Sequence, residues 1–211
     1  MRMMECLTHR GNWLFRWRSY TPLLLVPLLW LEKDAFHYPL GSHDWDLAYE
    51  FACFTVALGG LLARVKTIGH IPKGTSGRNS KSQKASVLNT TGMYSVVRNP
   101  LYLGNYLVLL GVTLMTQSGE LVLINSLLFA LAYLPIILRE EQFLTEQFGR
   151  AYQEHATSVP CLVPKLGLWR PPDLPFSLRM VLRREPDTWL STVAAFVFLE
   201  HLIHHQRTTG A

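Results

Sequence analysis

Arg98, Asn99 and Pro100 stand at the mouth of a long apolar segment. A greasy helix start carries a strong charge only where something there needs one. Proline is tolerated in the first turn of a helix, where its missing N–H is no loss. Asparagine is a strong N-cap. The sequence therefore predicts Asn99 as the cap and Pro100 as the first helical residue. Free backbone N–H groups, the positive end of a helix dipole and Arg98 would then meet at one spot, which attracts an anion. The plainer alternative is that Arg98 snorkels as an interface anchor. Glu140 and Glu141 leave the next apolar segment on the same side. Two adjacent carboxylates beside hydrocarbon are costly unless something pairs with them. Arg139 and Arg150 could neutralise them. The other answer is a ligand that is both anionic and cationic.

The elements that must position these residues are apolar blocks. Of 211 residues, 49% are hydrophobic and only 17% are charged, against ~25% charged in a typical soluble domain. The apolar residues come in blocks with the charges between them, as in a multi-spanning membrane protein. Five blocks can be marked: about residues 20–31 (extendable toward 40), 46–65, 100–116, 120–138 and 189–203. The first holds Pro22 and Pro27 and follows Arg2, Arg10, Arg16 and Arg18. No small-residue cleavage site comes after it, so an uncleaved span is expected. The last block is short and could lie at the interface. The expected architecture is all-α and integral to the membrane, one domain over 1–211, with a cofactor pocket on the cytoplasmic side.

Orientation comes from the loops. Residues Arg64 to Arg98 are basic and free of acids, whereas Glu32, Asp34, Asp44 and Asp46 precede the second block. The positive-inside bias then puts the N-terminus, residues 66–99 and residues 139–188 in the cytoplasm. The third and fourth blocks form a hairpin through QSGE, and both polar ends face the same side. The net charge of +5 needs no nucleic acid, because anionic lipid and topology already account for it. Cys6, Cys53 and Cys161 form neither a disulfide framework nor a zinc knuckle. His201 and His205, and Glu200 and His204, are four apart, a spacing that can grip a metal on a helix. Solvated histidines near a chain end are the preferred reading, and no metal is expected. Trp13, Trp17, Trp30, Trp45 and Trp189 read as interface-belt residues.

A zwitterionic amino-acid ligand answers the paired charges, and S-adenosylmethionine answers them well. Its carboxylate suits the Arg98 region. Its ammonium and sulfonium suit Glu140 or Glu141 through charge-assisted contacts. Its adenine wants the apolar residues of the third and fourth blocks.

The run G-x-Y-x-x-x-R-N-P-x-Y-x-G from Gly92 to Gly104 resembles the signature of the isoprenylcysteine carboxyl methyltransferase and phospholipid methyltransferase superfamily. The match continues with E-E-x-x-L-x-x-x-F-G-x-x-Y from Glu140 to Tyr152, and then Pro164. It covers about residues 85–165, the expected cofactor-binding core. The resemblance implies cofactor contacts at Tyr94, Arg98, Asn99, Pro100, Tyr102, Gly104, Glu140 and Glu141. Arg98 and Glu141 are the expected catalytic residues. The family often has histidine where this chain has Asn99, which can cap and hydrogen-bond but cannot act as a base near neutral pH.

The resemblance implies methyl transfer to the polar head of a membrane amphiphile. Lys73, Arg78, Lys81, Lys84 and Arg98 make the mouth basic, which favours an anionic head group; positive-inside topology alone is the alternative account of them. The loop also resembles bacterial members linked to methylation of a lipid A phosphate, the first expectation for the acceptor. A prenylcysteine carboxylate and a phospholipid amine are the alternatives. An NADPH-dependent sterol-type reductase and a non-enzymatic scaffold are the rival classes. The location expected is a bacterial inner membrane.

Overall fold

The computed structural model describes residues 43–72 and 85–209. The expected first span, Trp13, Trp17 and Trp30, and the basic residues Lys73, Arg78, Lys81 and Lys84 lie outside them. The described residues are helical: α1 (His43–Gly69), α2 (Pro100–Leu114), α3 (Gly119–Phe148), α4 (Arg150–Ser158), α5 (Leu178–Arg184) and α6 (Pro186–Thr209), with 3₁₀ turns at Met93–Ser95 and Leu166–Leu168. The only β-like pairing among them is an isolated antiparallel bridge between Gly92 and Arg170.

α1 and α3 are long and apolar enough to cross a membrane. α2 is apolar but has only 15 residues, short of the ~20 that span hydrocarbon. α6 carries Asp187 and Glu200 and is not among the candidate spans. Of the five expected spans, two therefore meet the criterion among the described residues. Their outer faces are apolar. Leu123, Leu127, Leu131, Leu134 and Leu138 form an exposed stripe on α3, with the spacing of one helix face. Phe51, Phe54 and Leu62 on α1, and Leu190, Val193 and Val197 on α6, are exposed as well. An apolar girdle of this kind is what lipid, and not water, covers.

Within lipid there is little hydrophobic gain in bringing helices together, so close packing of small residues carries the load. α1 and α2 run antiparallel and meet on glycine. A Cβ on Gly60 would come within 2.6 Å of the Gly104 carbonyl. One on Gly104 would strike Arg64 Cγ at 2.5 Å, and one on Gly111 would strike the Cys53 carbonyl at 2.6 Å. The opposite side of α2 packs on α3 through Tyr102, Phe129, Tyr133, Ile136 and Ile137. Phe129 and Tyr133 stack at 4.2 Å, and Tyr102 meets Tyr133 edge-on. At the far end Cys53, Val112, Met115, Leu121 and Leu199 join α1, α2, α3 and α6 in one cluster.

The short connection into α3 is capped. Ser118 Oγ accepts from Leu121 N at 3.2 Å, which satisfies one orphan donor of the first turn. α3 then runs past residue 138, where its apolar run stops, to Gly149. There φ is +53° and ψ −125°, a region open in practice only to glycine, and α4 starts in a new direction. The helix thus carries Glu140 and Glu141 on a rigid extension.

One ion pair ties the C-terminal segment to this bundle. Arg64 on α1 meets Glu185 twice, Nε–Oε2 at 2.8 Å and Nη2–Oε1 at 2.7 Å. Arg64 Nη1 also donates to Asn105 on α2, and Glu185 is 1% exposed. Glu185 sits between α5 and α6, so this contact orients α6 along α1.

Gly111→Ala should force α1 and α2 apart and lower stability by about 1–3 kcal/mol, while Gly119→Ala, which meets nothing within 4 Å, should be neutral. Thermal unfolding in detergent checks both. Glu185→Gln strands the Arg64 charge and should cost about 3 kcal/mol in the same measurement. The double substitution Arg64→Met/Glu185→Leu should recover most of that loss.

Candidate functional site

The end of α1 that carries Arg64, the Glu185 junction before α6, the start of α2 and the exit of α3 all gather at one end of the bundle. Arg98 and Glu141 meet there. Arg98 Nε donates to Glu141 Oε1 at 2.9 Å. Arg98 Nη1 donates to the carbonyls of Ala156 (2.7 Å) and Val159 (2.9 Å) at the end of α4. Glu141 is thus paired with Arg98, and Arg150 pairs with Glu154 on the exposed face of α4. Nor is Arg98 turned outward as an interface anchor, since 16% of its side chain is exposed.

Asn99 occupies the cap position of α2, but its side chain makes no capping hydrogen bond. Its Nδ2 points at Glu141 Oε1 (3.4 Å), the Cys161 carbonyl (3.3 Å) and Cys161 Sγ (3.5 Å). The capping expectation thus fails for the side chain: the nearby carboxylate is a stronger acceptor, and the amide turns toward it. Chain 159–170 runs alongside 92–99. Arg98 N donates to Pro160 O, Asn99 N to Cys161 O, and Lys165 N to Val96 O. Gly92 N donates to Arg170 O, and Arg170 N to Ser95 Oγ. Gly92 sits at φ +59°, and a Cβ there would touch Pro172 at 3.3 Å. Two of the three glycines of the sequence motifs, Gly92 and Gly149, are thus explained by positive φ.

The remaining candidates separate. Pro100 is buried at the start of α2. Tyr102 packs in the aromatic cluster against α3, and Gly104 faces α1. Two residues apart on a helix they lie on opposite faces, and the side chain that Gly104 lacks would strike Arg64 on α1. Tyr94 lies in the 3₁₀ turn and packs beside Ile68, Ile71 and Val181. Glu140 lies within electrostatic reach of Tyr94, on the side where Arg184 also acts. The adjacent carboxylates therefore address different surroundings.

The local field follows from burial and these charges. Burial raises the Tyr94 hydroxyl above its ordinary value and Glu140 adds to this, against Arg184. Burial and Glu141 raise Tyr152, with Arg98 opposing. Burial and Glu141 also raise the Cys161 thiol, which keeps it protonated. Burial pulls Arg98 down, but the hydrogen bond and charge of Glu141 outweigh that, and the net shift is upward. His155 is held down by burial, then by Arg98 and Arg170. Tyr152, Cys161 and His155 were not among the sequence candidates. Tyr152 lies in the quoted motif and could have been chosen; Cys161 and His155 carry no local signal.

His155 gives a pH dependence with a definite sign. Its folded pKa lies below the ordinary 6.5, so the unfolded chain takes up a proton that the native state resists. This contribution to stability is full above about pH 6.5 and is lost as pH falls through the folded value. Thermal midpoints in detergent should drop over that window, and His155→Gln should flatten the drop.

Residues 48–151 match the phospholipid methyltransferase family. The chain is 31% identical over 156 residues to the nickel-cobalt-cadmium resistance protein NccN of Alcaligenes xylosoxydans xylosoxydans, covering 73% of this chain and 65% of that one. It is 32% identical over 156 residues to the cobalt-zinc-cadmium resistance protein CzcN of Cupriavidus metallidurans, covering 73% and 64%. It thus spans just under two thirds of the length of these relatives. It is also 32% identical over 85 residues to the protein-S-isoprenylcysteine O-methyltransferase of Schizosaccharomyces pombe, covering 40% and 36%. No solved structure matches. None of these names points to a lipid A phosphate, and the loop lysines that suggested it lie outside the described residues. Among the described residues no three His, Cys, Asp or Glu side chains gather as a metal site. The motifs from Gly92 to Gly104 and from Glu140 to Tyr152 thus stand in a chain whose likenesses support the superfamily of membrane methyltransferases, which includes phospholipid and isoprenylcysteine enzymes.

Proposed function

We propose that the chain is an S-adenosylmethionine-dependent methyltransferase acting on a carboxylate head of a membrane amphiphile, of the lipidated-cysteine type. The observation that carries this reading is the Arg98–Glu141 pair, set where two motifs distant in sequence converge. Opposite charges held in contact at a membrane boundary form a dipole, and a zwitterionic ligand is its complement. Arg98 and the open first turn of α2 offer donors to a carboxylate. Glu141 and Glu140 offer acceptors to an ammonium and a sulfonium. The donor set therefore fits S-adenosylmethionine.

That cofactor supplies a methyl group made electrophilic by its sulfonium. The chain's task is to align, to exclude water and to keep charges matched. Alignment of two reactants can contribute up to ~7–11 kcal/mol. Tyr102, Phe129 and Tyr133 form a dry aromatic wall between α2 and α3, on the bundle side of the pair. A carboxylate is already a nucleophile at neutral pH, so no general base is required. Asn99 in place of a titratable side chain agrees with that. Nucleophile and sulfonium carry opposite charges that cancel as the reaction proceeds, so a poorly solvated site favours the step. The acceptor comes from the bilayer, and the basic stretch between α1 and α2 supports a cytoplasm-facing site in an inner membrane.

Purified protein should bind labelled S-adenosylmethionine and not NADPH. Arg98→Gln and Glu141→Gln should each weaken that binding by about tenfold, the worth of one charge-assisted contact. Glu146→Gln, on an exposed glutamate paired with Gln142, should leave it unchanged. Binding of NADPH alone would replace this reading with the reductase class.

A further inference from the structure

A second feature has no part in the methyl-donor reading. Beside the Met93–Ser95 turn lies a cleft of about 140 Å³ lined by Lys66, His70, Gly92, Met93, Trp169 and Pro172. It adjoins a smaller recess where Asn89, Thr91 and Tyr94 join Lys66 and His70. Lys66 on the last turn of α1 and His70 just past its end both face the cleft. The roof is the strap of residues 169–177. Thr91 Oγ1 donates to Asp173 Oδ2 at 3.1 Å, and Ser177 N donates to Gly69 O at 2.8 Å. His70 Nδ1 lies 2.7 Å from the Leu174 carbonyl. A carbonyl can only accept, so Nδ1 carries the proton and Nε2 remains for another partner.

Three properties define what this cleft takes. Its lining holds a cation, an imidazole, hydroxyls and an amide, and the one carboxylate named in its roof, Asp173, already accepts from Thr91. The carbonyls at the end of α1 that would repel an anion are already engaged: those of Thr67, Ile68 and Gly69 accept from His70, Ile71 and Ser177. Its size suits a small head group, whereas a whole nucleoside-bearing donor wants ~300 Å³ or more. A fourth property points to the bilayer. Leu62, one turn before Lys66 on the same face, is 48% exposed and gives an apolar path from the cleft to lipid. Tyr94, at the cleft's edge, is the residue that feels Glu140, so the cleft borders the proposed donor site.

We propose that this cleft receives the carboxylate head of the acceptor, with Lys66 as its counter-charge and the lipid tail leaving along Leu62. The proposal rests on the methyltransferase reading and names the substrate side of it. Lys66 is exposed, so its substitution leaves the packing intact. The probes are N-acetyl-S-farnesylcysteine and its uncharged methyl ester, with full-length protein in detergent. Lys66→Gln should raise KM for the acid about tenfold, leave KM for S-adenosylmethionine unchanged, and leave affinity for the ester unchanged. Lys66→Arg should restore most of the loss. Direct binding keeps the two proposals separable: wild-type protein should prefer acid over ester, and Lys66→Gln should erase that preference, whether or not transfer is observed. An unchanged KM and unchanged acid preference in Lys66→Gln would overturn the acceptor site. So would a selective loss of S-adenosylmethionine affinity, which would assign the cleft to the donor. Failure of wild-type protein to bind S-adenosylmethionine would instead overturn the methyltransferase reading.

Discussion

The close approach of α1 and α2 across Gly60, Gly104 and Gly111 is the constraint from which the rest follows. In lipid, apolar side chains gain little by meeting one another, so two helices stay together only if their backbones come near enough for dense contact. Glycine removes the atoms that would hold them apart. Once α1 and α2 are locked antiparallel, Lys66 and His70 stand next to the Met93–Ser95 turn, and Arg64 can reach both Asn105 and Glu185. The aromatic layer on the other side of α2 fixes α3 in turn, and with it the height of Glu141. Charges at the site are thus placed by uncharged packing.

Arg98 converts that placement into a junction. Its guanidinium joins α3 through Glu141 and the end of α4 through two carbonyls. Planar, five-donor geometry is what allows one side chain to do this, and lysine could not. A ligand that competes for Glu141 therefore also acts on the segment after α4, which continues into the 169–177 strap. The proposed donor and acceptor regions share this covalent and hydrogen-bonded path.

Much of the helical layout was legible because hydropathy determines it: blocks at 46–65, 100–116, 120–138 and 189–203 correspond to α1, α2, α3 and α6. The ends were less so. Charges stop a hydrophobic block but not a helix, and α3 ignores Glu140 and Glu141 until Gly149 breaks its backbone. The meeting of Arg98 with Glu141 could be anticipated from opposite charges on one side of a hairpin. The carbonyls of Ala156 and Val159 could not, since a backbone acceptor leaves no mark in side-chain identity. Arg64 and Glu185 are separated by 121 positions, too far apart in sequence for either to announce the other. Gly104 was expected to touch the cofactor, and the close approach of α1 to it was not legible. Motif membership says that a position is constrained, and only geometry says by what.

The 15 residues of α2 measure ~22 Å at 1.5 Å per residue, against a hydrocarbon slab of ~30 Å. One end of this hairpin therefore cannot reach bulk water without drawing the bilayer thinner around it. A lipid next to α2 would find the polar surface dipping toward Arg98, so its head could enter while its tail stayed in oil. For the activity proposed above, membrane thickness then becomes a control: short-chain lipids relax the deformation, and thick sterol-rich or long-chain bilayers oppose it.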